Sequence, residues 1–282
     1  MDIPKSTNGK TATEVAVELS LKAGDTLVKR FHKEKQISFK GRGNIVTDVD
    51  SAVELDLLDT LRSEFPNMGF LGEESSASQI EGLAGQTRRP TPGSGYVWIV
   101  DPLDGTRNYA SGIPFFSVVV GLAFDGEVLV GVNYDPIREE IFHAERGQGA
   151  FLNGERISVS DKRSIEECIL GMDLSYNDEG VTTGLNVIQS LWPGMQTARI
   201  MGSSALGISY AAAGRTDLYF HYQLEPWDQV AGMLLVEEAG GIITDRAGER
   251  AGLYSNGLVA SNETLHSEFM NKTEGMAWRN CT

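Results

Sequence analysis

Cysteine is scarce: Cys168 and Cys281 are the only two in 282 residues. Two thiols this far apart build neither a disulfide framework nor a zinc pattern, and they fit a reducing, cytoplasmic setting. Long apolar runs are missing too. No window of 18 apolar residues occurs, so no membrane-spanning helix and no membrane partner are expected. The opening stretch, "MDIPKSTNGK", lacks the apolar core of a signal peptide, and a soluble intracellular protein is expected. Positive charge is the third shortage. With 24 Lys and Arg against 39 Asp and Glu, the net charge is −15 and no basic run compensates, which argues against binding a nucleic-acid backbone. Most of that charge reads as an acidic, solvated surface. A minority of the carboxylates remain candidates for holding metal.

What is present suffices for a real core: 41% of the residues are hydrophobic. Val15, Leu19, Ala23, Leu27 and Phe31, four apart, predict an amphipathic helix over 12–32. "KGRGNIVTDVD" reads as a glycine-rich turn and a short extended piece. A second helix is predicted from about Asp50, with Ser51 and Glu54 at capping-box spacing and Pro66 closing the region. "MGFLGEES" is a short strand, and 75–95, rich in Ser, Gly, Pro and Thr, is a loop. A β-meander follows, with Asp125-Gly126 as a hairpin signal and Asn153-Gly154 as a further turn. From about residue 163 strands and helices alternate: strands in "ECILGMD", "TARIM", "DLYF", "GIIT" and "GLVAS", and helices over 181–192, 204–213 and 228–239. No internal repeat or low-complexity linker interrupts the chain. The expected organisation is α/β, with an N-terminal α+β part (1–160) and a C-terminal α/β part (161–282) sharing a cleft.

Four acidic clusters fall at predicted element ends: Asp48/Asp50, Glu73-Glu74, Asp101/Asp104 and Asp228. Asp50 and Asp228 can be read as plain helix N-caps, and Glu73-Glu74 as a solvated loop pair. Asp101 resists such a reading. It follows Trp98-Ile99-Val100 directly, and an unpaired carboxylate at a core edge costs several kcal/mol. Asp104 comes to the same place if Pro102 helps the chain curl tightly. A hard divalent ion supplies what such carboxylates lack. Gly105 and Thr106 then gain a purpose, since their backbone N–H groups can meet a phosphate and the threonine hydroxyl can hold a water.

"GEES" (72–75), "WIVDPLDGT" (98–106) and "PWDQVAGMLLVEEAGG" (226–241), in this order, resemble the inositol monophosphatase family over roughly residues 12–270. The resemblance implies an alternating αβαβα sandwich of the inositol monophosphatase and fructose-1,6-bisphosphatase type. It implies a Mg²⁺-dependent, lithium-sensitive, homodimeric phosphatase that uses two to three ions and metal-activated water, without a phosphoenzyme. By that likeness Glu73, Asp101 and the Leu103 carbonyl hold a first ion, and Asp101, Asp104 and Asp228 a second. A weaker third would rest on Glu73. Gly105 and Thr106 contact phosphate, Thr106 with Asp50 positions the water, Glu74 supports the site, and Lys40, in a mobile "KGRGN" loop, helps close it.

The expected substrate is a small phosphorylated polyol or sugar-like molecule of the inositol monophosphate kind. Ser203 and Ser204 stand where the family lines its substrate pocket, and both also suit the cap of the following helix. Inositol-preferring members carry a glutamate seven residues before the "WD" aspartate, whereas this chain has His221 there. His221 can bind polyol hydroxyls or simply end its strand against solvent. Histidinol phosphate and fructose 1,6-bisphosphate stay open as alternatives. So does a non-catalytic regulatory role, since some family members associate with transcription machinery.

Overall fold

A computed structural model describes residues 3–41, 44–76 and 95–280. Helix α1 (Ala12–Phe31) begins at a reciprocal capping box between Thr11 and Glu14 and buries the stripe from Val15 to Phe31. A two-stranded antiparallel ribbon follows, β1 (Ile37–Gly41) and β2 (Asn44–Thr47). Lys40 therefore sits on a strand and not in a loop. Helix α2 (Asp48–Glu64) is capped by Thr47, with Asp50 closing the box, whereas the Ser51/Glu54 spacing predicts the cap four residues later. Thr47 wins because it ends a strand and has the extended backbone a cap requires.

The next strands make one seven-stranded sheet. They are β3 (Gly69–Gly72), β4 (Tyr96–Asp104), β5 (Ser117–Phe124), β6 (Glu127–Asp135), β7 (Glu140–Glu145), β8 (Gly149–Leu152) and β9 (Glu155–Arg156). Spatial order follows chain order, β3 and β4 run parallel, and every other pair is antiparallel. The Asp125-Gly126 hairpin has positive φ at both residues, 49° and 86°, as a tight primed turn requires. A short helix α3 (Thr106–Ala110) interrupts between β4 and β5. The predicted loop over 75–95 lies mostly outside the described residues.

Strands β10 (Ile169–Met172), β11 (Thr197–Ile200), β12 (Leu218–His221), β13 (Ile242–Thr244) and β14 (Leu258–Ser261) form a second sheet, in the order β11-β10-β12-β14-β13. Helices α4 (Asp178–Leu191), α5 (Ser204–Ala212), α6 (Pro226–Glu238) and α7 (Glu263–Lys272) complete the chain.

Strand alternation decides the layers. Trp98, Val100, Val118 and Val120 point to one side and pack on α1 and α2, while Ile99, Val119 and Ala123 point to the other and pack on α5 and α6. Tyr219 and Ala260 of the second sheet join that same inner core. Leu218, Phe220 and Val259 face outward, onto Val187 and Leu191 of α4 and Leu265 and Phe269 of α7. The result is helix, sheet, helix, sheet, helix. Sequences covered on both faces read as unbroken apolar runs, which is why "FFSVVVGLAF" and the nearly all-apolar α6 look as they do. Gly131 lets α6 approach, since a Cβ there would lie 2.8 Å from the Ala231 backbone.

Candidate active site and metal centre

The site starts from an irregularity in β4. Asp101 pairs with Val119 and Asp104 with Ser117, so three steps on one strand match two on the other. In a regular strand residues three apart point to opposite faces. The extra residue re-aims Asp104 so that both carboxylates meet on one side. Asp228, in the first turn of α6, joins them: Asp101, Asp104 and Asp228 each offer an oxygen within 4.8 Å of the others. Asp228 is not the N-cap. Glu225 is, and Asp228 accepts its N–H at 2.8 Å.

Each acid is held by dedicated groups. Leu103 N–H donates to Asp101 at 2.9 Å. Asp104 accepts from the Ser203 hydroxyl, from Ser204 at 3.1 Å and from Ala205 N–H at 3.2 Å. Ser203 is at the same time the N-cap of α5, so capping and site support coincide. Asp50 is not an N-cap either. It accepts from Thr47 N–H at 3.0 Å and faces the Thr106 hydroxyl at 3.1 Å, which also lies 2.9 Å from the Leu103 carbonyl. Gly105, the N-cap of α3, has φ 87°, a conformation glycine adopts without strain, and a Cβ there would crowd the Phe115 carbonyl at 3.1 Å.

Glu73 and Glu74 are not a solvated pair. Lys40 bonds both, at 3.0 Å and 2.6 Å, with all three side chains largely buried. Beneath them Glu54 accepts the N–H groups of Glu74 and Ser75, each at 2.7 Å. Gly72 makes room for that carboxylate, because a Cβ would fall 2.5 Å from Glu54 Cδ. Gly72→Ala is therefore expected to destabilise the fold by about 1–3 kcal/mol through overpacking and to lower activity by moving Glu73. Chemical denaturation beside turnover checks this; a variant with wild-type stability and activity would remove Glu54 from the account.

The electrostatics ask for a cation. Burial, then the charges of Glu73, Asp104 and Asp228, holds Asp101 well above the usual carboxylate range, and burial with Asp104 and Glu73 does the same to Asp228. Burial pushes Asp104 up to about 6 against its serine donors, Asp50 to about 6, and Glu74, with Glu73 beside it, to about 7. Lys40 is raised, because Glu73 and Glu74 outweigh the burial that opposes its charge. Among the described residues, no ion pair neutralises the three converging aspartates. An all-oxygen set of that kind suits a hard divalent ion, so the donor chemistry fits a metal centre. Glu73 stands apart from the trio, held by Lys40.

Three supporting residues are invisible to motif reading. Glu54 is one. Asp173 accepts the N–H groups of Met201, at 2.8 Å, and Gly202, at 2.5 Å, and the Tyr219 hydroxyl at 3.0 Å. Asn108 grips the other edge of the same segment, donating to the Met201 carbonyl at 2.7 Å. Residues 201–202 are thus pinned on both edges, which fixes Ser203 on Asp104. Their partners are distant backbone groups, so no spacing in the sequence announces them. His221 is only 6% exposed, so it does not end its strand against solvent. Its Nδ1 accepts the Gln223 N–H at 3.2 Å, leaving the ring proton on Nε2, and burial pushes its pKa down to about 4.

Comparison with known proteins agrees with the geometry. A family model described as the inositol monophosphatase family matches residues 9–276. The chain is 38% identical over 263 residues to inositol monophosphatase 2 of Solanum lycopersicum, covering 92% of this chain and 96% of that one. It is 37% identical over 251 residues to Nus factor SuhB of Escherichia coli (strain K12), covering 88% and 90%. The crystal structure of extragenic suppressor protein suhB from Bartonella henselae superposes with a TM-score of 0.83 at 34% identity, covering 93% of this chain and 98% of that one.

Proposed function

The chain belongs to the inositol monophosphatase family, and from that premise we propose that it is a Mg²⁺-dependent phosphatase of small phosphomonoesters, inositol monophosphate-like in kind. The observation that carries the reading is the convergence of buried Asp101 and Asp104 with half-buried Asp228 beside the Thr106–Asp50 pair. These aspartates, with Glu73 and the Leu103 carbonyl, would hold two to three Mg²⁺ ions. When bound, the ions supply Lewis acidity, lowering the pKa of a water and offsetting charge on the phosphate and the leaving oxygen.

The chain's own groups do the rest. Backbone N–H groups of Gly105 and Thr106 orient the phosphate for in-line attack. Thr106 Oγ1 accepts a hydrogen bond from the attacking water while its own proton is directed at Asp50 or the Leu103 carbonyl. Oxygen from water bonds to phosphorus and the P–O ester bond breaks; one of the water's protons passes to the leaving alkoxide, giving the free alcohol, and the other stays with the inorganic phosphate. Lys40 and Glu74 buttress Glu73. Ser203 and Ser204 reach the substrate pocket through Asp104. His221, neutral and with Nε2–H as its donor, would meet a substrate acceptor oxygen where the family's inositol-binding glutamate meets a hydroxyl proton. Histidinol phosphate and fructose 1,6-bisphosphate accordingly stand beside inositol monophosphate. The site takes residues from both proposed parts, 1–160 and 161–282. A cytoplasmic homodimer inhibited by Li⁺ completes the proposal.

The test is phosphate release from inositol 1-phosphate, histidinol phosphate, fructose 1,6-bisphosphate, glycerol 2-phosphate and phosphoadenosine phosphate, with Mg²⁺, with chelator, and with Mg²⁺ plus Li⁺. Turnover lost in chelator and reduced by Li⁺ is expected. Silence across the panel from folded, Mg²⁺-saturated protein would favour the second reading, a regulatory binding role, to which the likeness to proteins named Nus factor SuhB points.

A further inference from the structure

Arg246 plays no part in the proposed reaction, yet it carries a buried charge. It is 4% exposed, among the described residues no acidic side chain pairs with it, and its Nε makes no hydrogen bond. Its Nη1 donates to the carbonyls of Trp278, at 2.7 Å, and Asn280, at 2.8 Å. Arg279, in the single helical turn Ala277–Arg279, answers by donating to the carbonyls of Arg246 and, at 3.0 Å, Ala247. The two segments are locked reciprocally, and the Arg246 guanidinium comes to rest 4.1 Å from the ring centroid of Tyr222. Gly180 of α4 borders the same ring, where a Cβ would lie 2.5 Å from Tyr222 Cδ1.

A desolvated guanidinium without a carboxylate is costly to keep. The carbonyls at 278 and 280 need only a neutral donor. The charge finds its use over the aromatic face, where attraction is strongest out of water and a planar group fixes the tilt of the ring. Strand alternation decides what the fixed ring controls. On β12, Tyr219 and His221 point to the inner face, their rings stacked 6.5 Å apart, while Phe220 and Tyr222 point to the outer one. The inner face is the side of the site, since the Tyr219 hydroxyl reaches Asp173, which holds 201–202 beside Asp104. Holding Tyr222 from outside therefore holds the peptide on which His221 turns. Gln223, the next residue, gives its N–H to His221 Nδ1 at 3.2 Å and is itself tied at 3.0 Å to Asn177, the N-cap of α4. Gly257 closes over the same turn, where a Cβ would lie 2.6 Å from the His221 carbonyl oxygen. If the turn loosened, the imidazole would be free to take its other tautomer and present a lone pair where Nε2–H now stands.

We propose that Arg246 is a positioning residue for His221. Through Tyr222 it holds the 221–223 turn, keeps Gln223 N–H on Nδ1, and so keeps Nε2–H directed as a donor, which sets a preference for substrates that present an acceptor oxygen there. The preference rests on the phosphatase reading, whereas the state of the ring does not. Two measurements on wild-type protein, Arg246→Met and Tyr222→Leu test it, and Tyr222→Leu serves should Arg246→Met fail to fold. By ¹⁵N NMR at neutral pH, His221 is expected as a single Nε2–H tautomer in wild-type protein and as a mixture in both variants. The kcat/KM for inositol 1-phosphate, taken as a ratio to that for the smaller glycerol 2-phosphate and with Mg²⁺ present, is expected to fall about fivefold in either variant, through KM, as the loss of one neutral hydrogen bond implies. In a His221→Ala background, Arg246→Met should leave that ratio unchanged. An unaltered tautomer in the variants, or the same fivefold loss in the His221→Ala background, overturns the inference, because Arg246 would then only anchor the 277–280 segment. Absence of turnover on every substrate by wild-type protein instead sinks the phosphatase reading, and the tautomer still decides the role of Arg246.

Discussion

Asp101→Asn is expected to lower kcat by about three orders of magnitude while raising the melting temperature of the metal-free protein by a few degrees. The two effects share one cause. Asp101 is 1% exposed and shares its space with Asp104 and Asp228, so without a cation its negative charge is desolvated and repelled. An amide keeps the volume, and its oxygen still accepts the Leu103 N–H that now bonds Asp101 at 2.9 Å. What it removes is the charge that draws a divalent ion and that disfavours the apo fold. Relief of about 1–2 kcal/mol corresponds to roughly 2–3 °C for a chain of this size. Thermal melts in chelator, beside turnover at saturating Mg²⁺, measure both. Near wild-type turnover would sink the metal-centre assignment. An apo melting temperature several degrees lower would mean that Asp101 is a structural hydrogen-bond partner first.

Why the sequence shows some of this and hides the rest follows from the range of each interaction. The stripe of α1 is local, repeating every turn, and all five predicted residues are buried. Asp125-Gly126 is local too, and its backbone has the conformation the dipeptide implies. Helix α7 went unpredicted, because Leu265 and Phe269 are its only buried apolar residues and the remainder is polar. The acids at 101 and 104 are legible as types, but their convergence depends on a register shift against β5, which only the paired strands reveal. Glu54 and Asp173 are less legible still. Their partners are backbone N–H groups 20 and more residues away, and any residue supplies a backbone N–H, so nothing in the composition of the partner segment marks it. His221 could be singled out by its offset from the "WD" aspartate, whereas its burial and the position of its ring proton required the turn to Gln223.

Those buried acids set a dependence of stability on pH that metal should reverse. Asp50, Asp104 and Asp173 are each pushed from the usual 3.8 to about 6, and Glu74 from 4.5 to about 7, mainly by burial. Between those limits the folded protein keeps protons that the unfolded chain has already released. The unfolded state therefore binds fewer protons, and stability falls as pH rises through the window. The penalty is absent below about pH 4 and complete above about pH 7. His221, lowered to about 4, acts in the opposite sense. Its buried neutral form contributes stability that is full above the ordinary histidine range and lost as pH falls toward 4. His143 and His266, also lowered by burial, act in the same sense as His221, but the raised acids outnumber all three and set the slope. In chelator the melting temperature is expected to drop by several degrees between pH 5 and pH 8. Saturating Mg²⁺ at a hundred times its Kd stabilises by about 2.7 kcal/mol if it binds only the folded state. Because Mg²⁺ competes with protons for Asp101, Asp104 and Asp228, the Mg²⁺-induced rise should be small at pH 5 and largest at pH 8. Comparing melts with and without Mg²⁺ at each pH cancels His221, which lies outside the carboxylate set, and Asp104→Asn should flatten the chelator curve. A Mg²⁺ effect independent of pH would place the ion away from these acids, whereas one that grows as they ionise identifies them as the groups it binds.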